Sequence, residues 1–325
     1  MKLLFIFAAL LLALPAHAQV NMDWVTVGDP GNACETQSQG CFGAVAYTYQ
    51  IGRYEVTNAQ YAEFLNAVAA TDTYSLYTTS MGSGVGGITR SGSSGSYTYS
   101  TIADRENMPV NYVSFYDSLR FANWLHNGQP SGAQDSATTE DGAYTFSDAT
   151  SVGARNEGAT IFLTSEDEWY KAAYYDAGSA SYFDYPTGSD TQTTCAVPGT
   201  TVNTANCGYV VTDLTDRGSY TGSASPSGSF DQGGNLWEWN EAIFESNRSF
   251  RGGSYFFSFS GDLAASHRDG NDPSSEYNDI GFRVASIAAP EGVPSLSRMG
   301  VALTGGLVFG IGIVGLALAA RRRLN

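Results

Sequence analysis

Three stretches of the chain repeat apolar residues at helical spacing, and each follows a residue able to cap a helix. Ile51-Gly52-Arg53-Tyr54-Glu55-Val56 has strand character, and behind it Thr57 and Gln60 stand three apart as a capping box. Tyr61, Phe64, Leu65 and Val68 then make one apolar face. A second helix is predicted behind Ser114, with Phe115, Leu119, Ala122 and Leu125 on its buried side. A third is predicted after Ile161-Phe162-Leu163, where Thr164 would cap and Glu166, Asp167 and Glu168 would complement the positive end of the helix dipole. Residues 75–101 and 128–158 are rich in Gly, Ser and Thr and read as long surface loops or hairpins. Short strands, a few capped helices and long loops together predict an α+β domain.

The two ends break this pattern. Residues 1–18 place Lys2 before an apolar run from Leu3 to Leu14 and end on Ala16-His17-Ala18, the plan of a secretory signal peptide. Residues 299–320 carry no charge, are long enough to cross a bilayer as a transmembrane helix, and are followed by Arg321, Arg322 and Arg323. The chain therefore divides into a signal peptide (1–18), a folded domain (19–288), a linker (289–298), a transmembrane helix (299–320) and a basic cytoplasmic tail (321–325). The expected place is the cell envelope, with the domain outside the cytoplasm and anchored to the membrane by its C-terminal helix. Val293-Pro294-Ser295-Leu296-Ser297 resembles the sorting signals of bacterial proteins handled by exosortase-type systems, in the variant that starts Ile-Pro-Thr-Leu-Ser. That resemblance implies an exosortase-type processing enzyme as a partner and release of the domain once the tail is cut.

Composition narrows the partners. The 325 residues carry a net charge of -16, and five of the basic residues (Lys2, Arg298 and Arg321, Arg322, Arg323) lie in the terminal segments. The body is thus more acidic than the whole; it repels phosphate backbones, which excludes nucleic acid, and attracts cations. With 20 Tyr and 17 Phe against only 15 % charged residues, the chain has material for an aromatic core and is neither disordered nor a coiled coil. Cys34 and Cys41 enclose one short loop of turn formers, and Cys195 and Cys207 enclose another. Two local disulfides are the simplest of the three connectivities and suit an exported protein.

Catalytic signatures are scarce. Gly82, Gly84 and Gly87 spell GxGxxG, but no strand precedes them and no helix follows. Beyond the signal peptide only His126 and His267 remain, too few for a three-histidine metal centre, and an iron site of two histidines and a carboxylate would need both to converge. The informative segment is Phe230-Asp231-Gln232-Gly233-Gly234-Asn235-Leu236-Trp237-Glu238-Trp239. Paired glycines allow a tight turn that aims carbonyls inward, with carboxylates of Asp231 and Glu238 on either side. That oxygen-rich arrangement suits a hard cation such as calcium, although a packed glycine turn without metal reads equally well.

This stretch resembles the GNxWEW motif of the formylglycine-generating enzyme family, also called the sulfatase-modifying factor family, whose domain has a C-type-lectin-like fold. Tyr54-Glu55-Val56-Thr57-Asn58-Ala59-Gln60-Tyr61, Met108-Pro109-Val110-Asn111-Tyr112-Val113-Ser114, Leu163-Thr164-Ser165-Glu166-Asp167-Glu168-Trp169, Arg251-Gly252-Gly253-Ser254-Tyr255 and Ile280-Gly281-Phe282-Arg283 match further family motifs in the right order. The resemblance implies structural calcium held by the side chains of Asp231 and Glu238 and the carbonyls of Gly234 and Leu236. A second family calcium loop would fall near Asn206 to Asp213, where Cys207 and an altered spacing break the match. Family members that make formylglycine bind copper through two cysteines shortly after GGSY. Those places hold Phe257 and Asp262 here, and no cysteine follows Cys207, so copper is not expected. Related members bind iron through histidines of an additional helical domain, which this sequence does not contain, and iron is left open.

Two functions of different class follow. One is a calcium-stabilised, non-catalytic binding module that presents a groove near Tyr255, Phe256, Phe257 and Phe259 to a surface glycan, peptide or polymer. The other is a divergent metal-dependent oxidase or modifying enzyme of the family, with Asp262, His267, Arg268 and Asp269 as its site, since a histidine beside carboxylates can bind metal or move protons.

Overall fold

The computed structural model describes residues 19–256 and 259–287. The signal peptide, the linker with its sorting motif, the transmembrane run, the basic tail and Phe257 lie outside the described residues. Among those described, no helix is long and apolar enough to cross a membrane.

Helices α1 (Asn58–Val68), α2 (Phe115–His126) and α3 (Glu166–Tyr174) each start with a reciprocal capping box, so that two backbone N–H groups of the first turn find partners. The caps of α1 and α2 are Thr57 and Ser114, as predicted. The cap of α3 is Ser165 rather than Thr164: Ser165 Oγ accepts from Glu168 N at 3.1 Å and Glu168 Oε2 accepts from Ser165 N at 2.6 Å. Thr164 instead offers its carbonyl to Glu241 N at 3.0 Å, which ties it to a neighbouring strand. The strand ahead of α1 runs over Tyr49–Gly52, not on to Val56. Val56 bonds outward to the Phe282 carbonyl and the Val110 N–H, so the chain leaves the sheet before α1.

Two four-stranded sheets organise the domain. The first orders Trp24–Val27, Tyr49–Gly52, Val284–Ser286 and Ile161–Leu163, all antiparallel, and so joins the two ends of the described chain. The second orders Asp269–Asn271, Asn247–Arg251, Trp237–Phe244 and Ile280–Gly281; its last pair is parallel. The loop-like stretches contain hairpins, Ile88–Ser91 with Thr98–Thr101 and Phe146–Asp148 with Ser151–Val152. Few helices, many short strands and long connections make this the α+β, C-type-lectin-like architecture.

Residues 280–286 stitch the sheets together. Phe282, between strands of different sheets, enters the aromatic core against Tyr61 and Phe121, with ring centroids 6.5 and 5.4 Å away. Phe64 and Trp124 close the cluster. Such ring pairs each add about 0.5–1.5 kcal/mol beyond burial. The cysteines pair as Cys34–Cys41 and Cys195–Cys207, both clasping local loops.

Candidate functional site

The glycine turn is set by close approach of two backbones. Gly234 has φ +82°, and a Cβ there would stand 2.4 Å from the Asn206 carbonyl, so only glycine fits. Gly234 N donates to Gly252 O at 2.9 Å and Asn235 N to Asn206 O at 2.8 Å, which fixes how the Trp237–Phe244 strand begins.

Glu238, one residue into that strand, is fully buried. Its Oε1 accepts from Arg283 Nη2 at 2.5 Å; its Oε2 accepts from Arg283 Nε at 2.5 Å and from Trp169 Nε1 at 2.7 Å. Arg283 also donates to the carbonyls of Gly52 and Phe230, at 3.0 Å each. Both carboxylate oxygens of Glu238 are therefore taken, and a calcium ion beside them would face a buried guanidinium. The set Asp231, Gly234, Leu236 and Glu238 does not fit calcium with Arg283 in this position. Asp231 is engaged too, accepting from Gly218 N at 2.5 Å. In the Asn206–Asp213 region Arg105 forks onto both Asp213 oxygens at 2.7 and 2.8 Å, while the buried Asn206 Oδ1 has no partner among the described residues.

One member of this interior was not foreseen as a site residue. Glu55 is buried behind the turn; its Oε1 accepts from Asn235 Nδ2 at 3.4 Å, and its Oε2 has no partner among the described residues. Burial, then the charges of Asp231 and Glu238, push its carboxyl well above the usual range. Asp231 is raised as well, by burial first, against the pull of the Gly218 N–H and Arg283. Glu55 and Asp231, packed beside the Glu238–Arg283 pair, are thereby both shifted toward their protonated forms. Among the described residues, no three His, Cys, Asp or Glu side chains are placed to enclose a metal ion.

The second sheet carries an open groove of about 420 Å³. Asp262, His267 and Asp269 line it together with Trp237, Phe256, Tyr277, Asn278 and Asp279. His267 Nδ1 lies 3.7 Å from Asp262 Oδ1, and its ring tilts against Trp237 with centroids 5.6 Å apart. Asp262 Oδ2 is oriented by Phe259 N at 2.8 Å, and Asp279 Oδ2 by the Ser254 hydroxyl at 3.1 Å. Burial raises the Asp279 carboxyl, with the Ser254 hydrogen bond opposing.

Arg268 does not join them. Its Nη2 donates to Glu166 Oε2 at 2.6 Å and its guanidinium lies over the Phe244 and Phe42 rings, at 4.9 and 5.3 Å. His126 is not brought to the groove either; its Nδ1 accepts from Thr160 N at 3.1 Å. Of the aromatic run after GGSY, Tyr255 is core, Phe256 lines the groove and Phe259 is exposed. Sequence reasoning missed Trp237, Tyr277, Asn278 and Asp279 as groove residues. The available signal was position: Asp279 directly precedes Ile280-Gly281-Phe282-Arg283, which anchors the loop carrying it.

Fold and groove define a lectin-like α+β domain with an acidic, aromatic groove. Residues 41–288 match the sequence model of the sulfatase-modifying factor enzyme 1-like domain, and the chain belongs to that family. Among solved structures, CarF is 20 % identical, covering 82 % of this chain and 99 % of its own, with a TM-score of 0.55. Treponema denticola variable protein 1 is 17 % identical, covering 84 % and 97 %, with a TM-score of 0.49. PvdO from Pseudomonas aeruginosa is 19 % identical, covering 82 % and 92 %, with a TM-score of 0.48. No curated protein sequence matches the chain. At these identities the likeness is one of fold.

Proposed function

We propose that this domain is an exported, membrane-tethered recognition module whose ligand occupies the groove, and that it does not perform the cysteine-dependent oxidation of its family. The observation that carries the reading is the lining: three aspartates, a histidine and the rings of Trp237 and Tyr277, without a lysine or arginine among the described residues. All four cysteines are bound in disulfides, so no thiol pair serves the groove. Of the glycan, peptide and polymer ligands that an exposed domain could meet, this lining favours one with ammonium or guanidinium groups. Carboxylates would pair with the cation, and the indole and phenol faces would add cation–π attraction. The signal-peptide plan and acidic body support an extracytoplasmic partner of opposite charge. In this reading Arg283, not calcium, holds the glycine turn.

Titration of the purified protein with oligolysine, followed by intrinsic tryptophan fluorescence with Trp237→Phe as the control for the groove signal, tests the reading. Saturable binding that weakens with salt, and falls at least about tenfold in Asp262→Asn or Asp279→Asn, is the expected result. Binding by the two variants equal to that of the unaltered protein would remove the groove from consideration. The Asp262–His267 pair favours a second reading, a divergent metal-dependent oxidase; stoichiometric iron or copper lost on His267→Ala would establish it.

A further inference from the structure

A second cavity, about 300 Å³, opens where the far end of the Trp237–Phe244 strand meets α2 and residues 152–155. Most of its charges are already matched. Arg155 donates to Glu241 Oε1 and Oε2 at 2.8 Å each and to Glu168 at 2.7 and 2.9 Å, and Glu241 Oε1 also accepts the Tyr144 hydroxyl at 2.5 Å.

Arg248 is the exception. Its Nη1 donates to the Glu241 carbonyl at 2.6 Å, and its guanidinium stacks over the Phe115 ring at 4.4 Å. None of its nitrogens forms an ion pair with a carboxylate among the described residues, unlike Arg155 beside it. Burial lowers its pKa, against the weaker opposing pull of Tyr116, Glu241 and Tyr144. Phe115, Leu119, Val152 and Ile243 supply the apolar part of the lining, beside the mutually paired Tyr144, Arg155 and Glu241; Ile243 is 56 % exposed at the mouth.

We propose that this pocket binds a small organic carboxylate with an apolar body, such as an aromatic or branched aliphatic acid. The carboxylate would take the edge of Arg248 that Glu241 leaves free, a planar donor pair suited to two parallel hydrogen bonds. The body would rest on Phe115 and the aliphatic walls. The volume lies at the lower end of small-molecule pockets, about 300–1,000 Å³, which limits the ligand to roughly one ring or a short branched chain. This site is independent of the acidic groove, which would repel the same ligand.

The probe is benzoate, titrated into the purified protein at neutral pH and followed by calorimetry or amide chemical shifts, with benzamide as its neutral isostere. Saturable benzoate binding is expected, weakened at least about tenfold in Arg248→Gln and at least about tenfold for benzamide, with Arg248→Lys between. Asp262→Asn, in the groove, should leave it unchanged. No benzoate binding up to tens of millimolar, equal affinity in Arg248→Gln, or equal affinity for benzamide would overturn the proposal. If Arg248→Gln melts early, the benzoate–benzamide contrast on the unaltered protein and the Arg248→Lys value decide it.

Discussion

Trp237 and Glu238 are neighbours on one strand, and the alternation of a strand sends their side chains to opposite sides. Glu238 enters an interior where a guanidinium and an indole N–H meet both its oxygens. Trp237 borders a groove in which Asp262, Asp269 and Asp279 have no arginine or lysine beside them among the described residues. Both regions are acidic, yet their charges are met differently. An aspartate or glutamate that the fold pairs with an internal arginine is architecture, whereas acids left facing a cavity without a cation are available to one that arrives from outside.

The strongest way to break this contrast is to remove the internal cation. Arg283→Met should destabilise the domain by about 3–5 kcal/mol in urea unfolding, because it strands the buried Glu238 charge. Adding Glu238→Leu should recover much of that loss. A cost below about 1 kcal/mol for Arg283→Met would mean the pair is not what holds the turn.

Proton uptake probes the same interior. Asp117, fully buried as part of the α2 capping box, is pushed up to about 6 by burial, against its bonds to Ser114. Asp231 and Glu55 shift in the same direction. A carboxyl whose folded pKa exceeds its unfolded value, about 3.9 for Asp, binds more protons in the native state between those values. Stability should therefore rise as pH falls from 7 through 6 and level off near 4, by an amount on the order of 1–3 kcal/mol. Glu168 works the other way: burial would raise it, but the Arg155 pair and its hydrogen bonds outweigh burial and lower it. Its contribution is lost only at more acid pH, as its folded pKa is crossed. A thermal midpoint that drops between pH 7 and 5 would contradict the assignment of these acids to the interior.

Groove substitutions sharpen the other half of the contrast. Asp262→Asn and Asp269→Asn should change stability by less than about 0.5 kcal/mol while reducing oligolysine binding. Loss of several degrees of thermal midpoint would make these acids architectural after all. The smallest effect expected is that of calcium: chelator or millimolar calcium should leave the midpoint unchanged. A native-state site saturated a hundredfold above its Kd would instead add about 2.7 kcal/mol.

Much of the fold is legible in the sequence because the rules involved are local. A capping box spans three residues, so Thr57 with Gln60 marks the start of α1 from the chain alone, and Cys34–Cys41 and Cys195–Cys207 close as their short spacings suggest. Where a local rule meets a tertiary bond it fails by a residue: Thr164 is a good cap by type, but the Glu241 N–H holds its carbonyl and Ser165 caps instead. Arg268 follows His267 directly, and adjacency suggests one site; the chain there sends them apart, one to Glu166 and the other to the groove.

By itself the sequence determined the starts of α1 and α2, the glycine turn, the disulfide loops and the family to which the domain belongs, all properties written in residues close together in the chain. Only the tertiary structure decided which charges are neutralised. Glu238 meets Arg283 across 45 positions, Asp213 meets Arg105 across 108, and Arg248 forms no ion pair among the described residues. Electrostatic partnership depends on distance in space and on the water excluded around it, and neither is encoded by spacing along the chain.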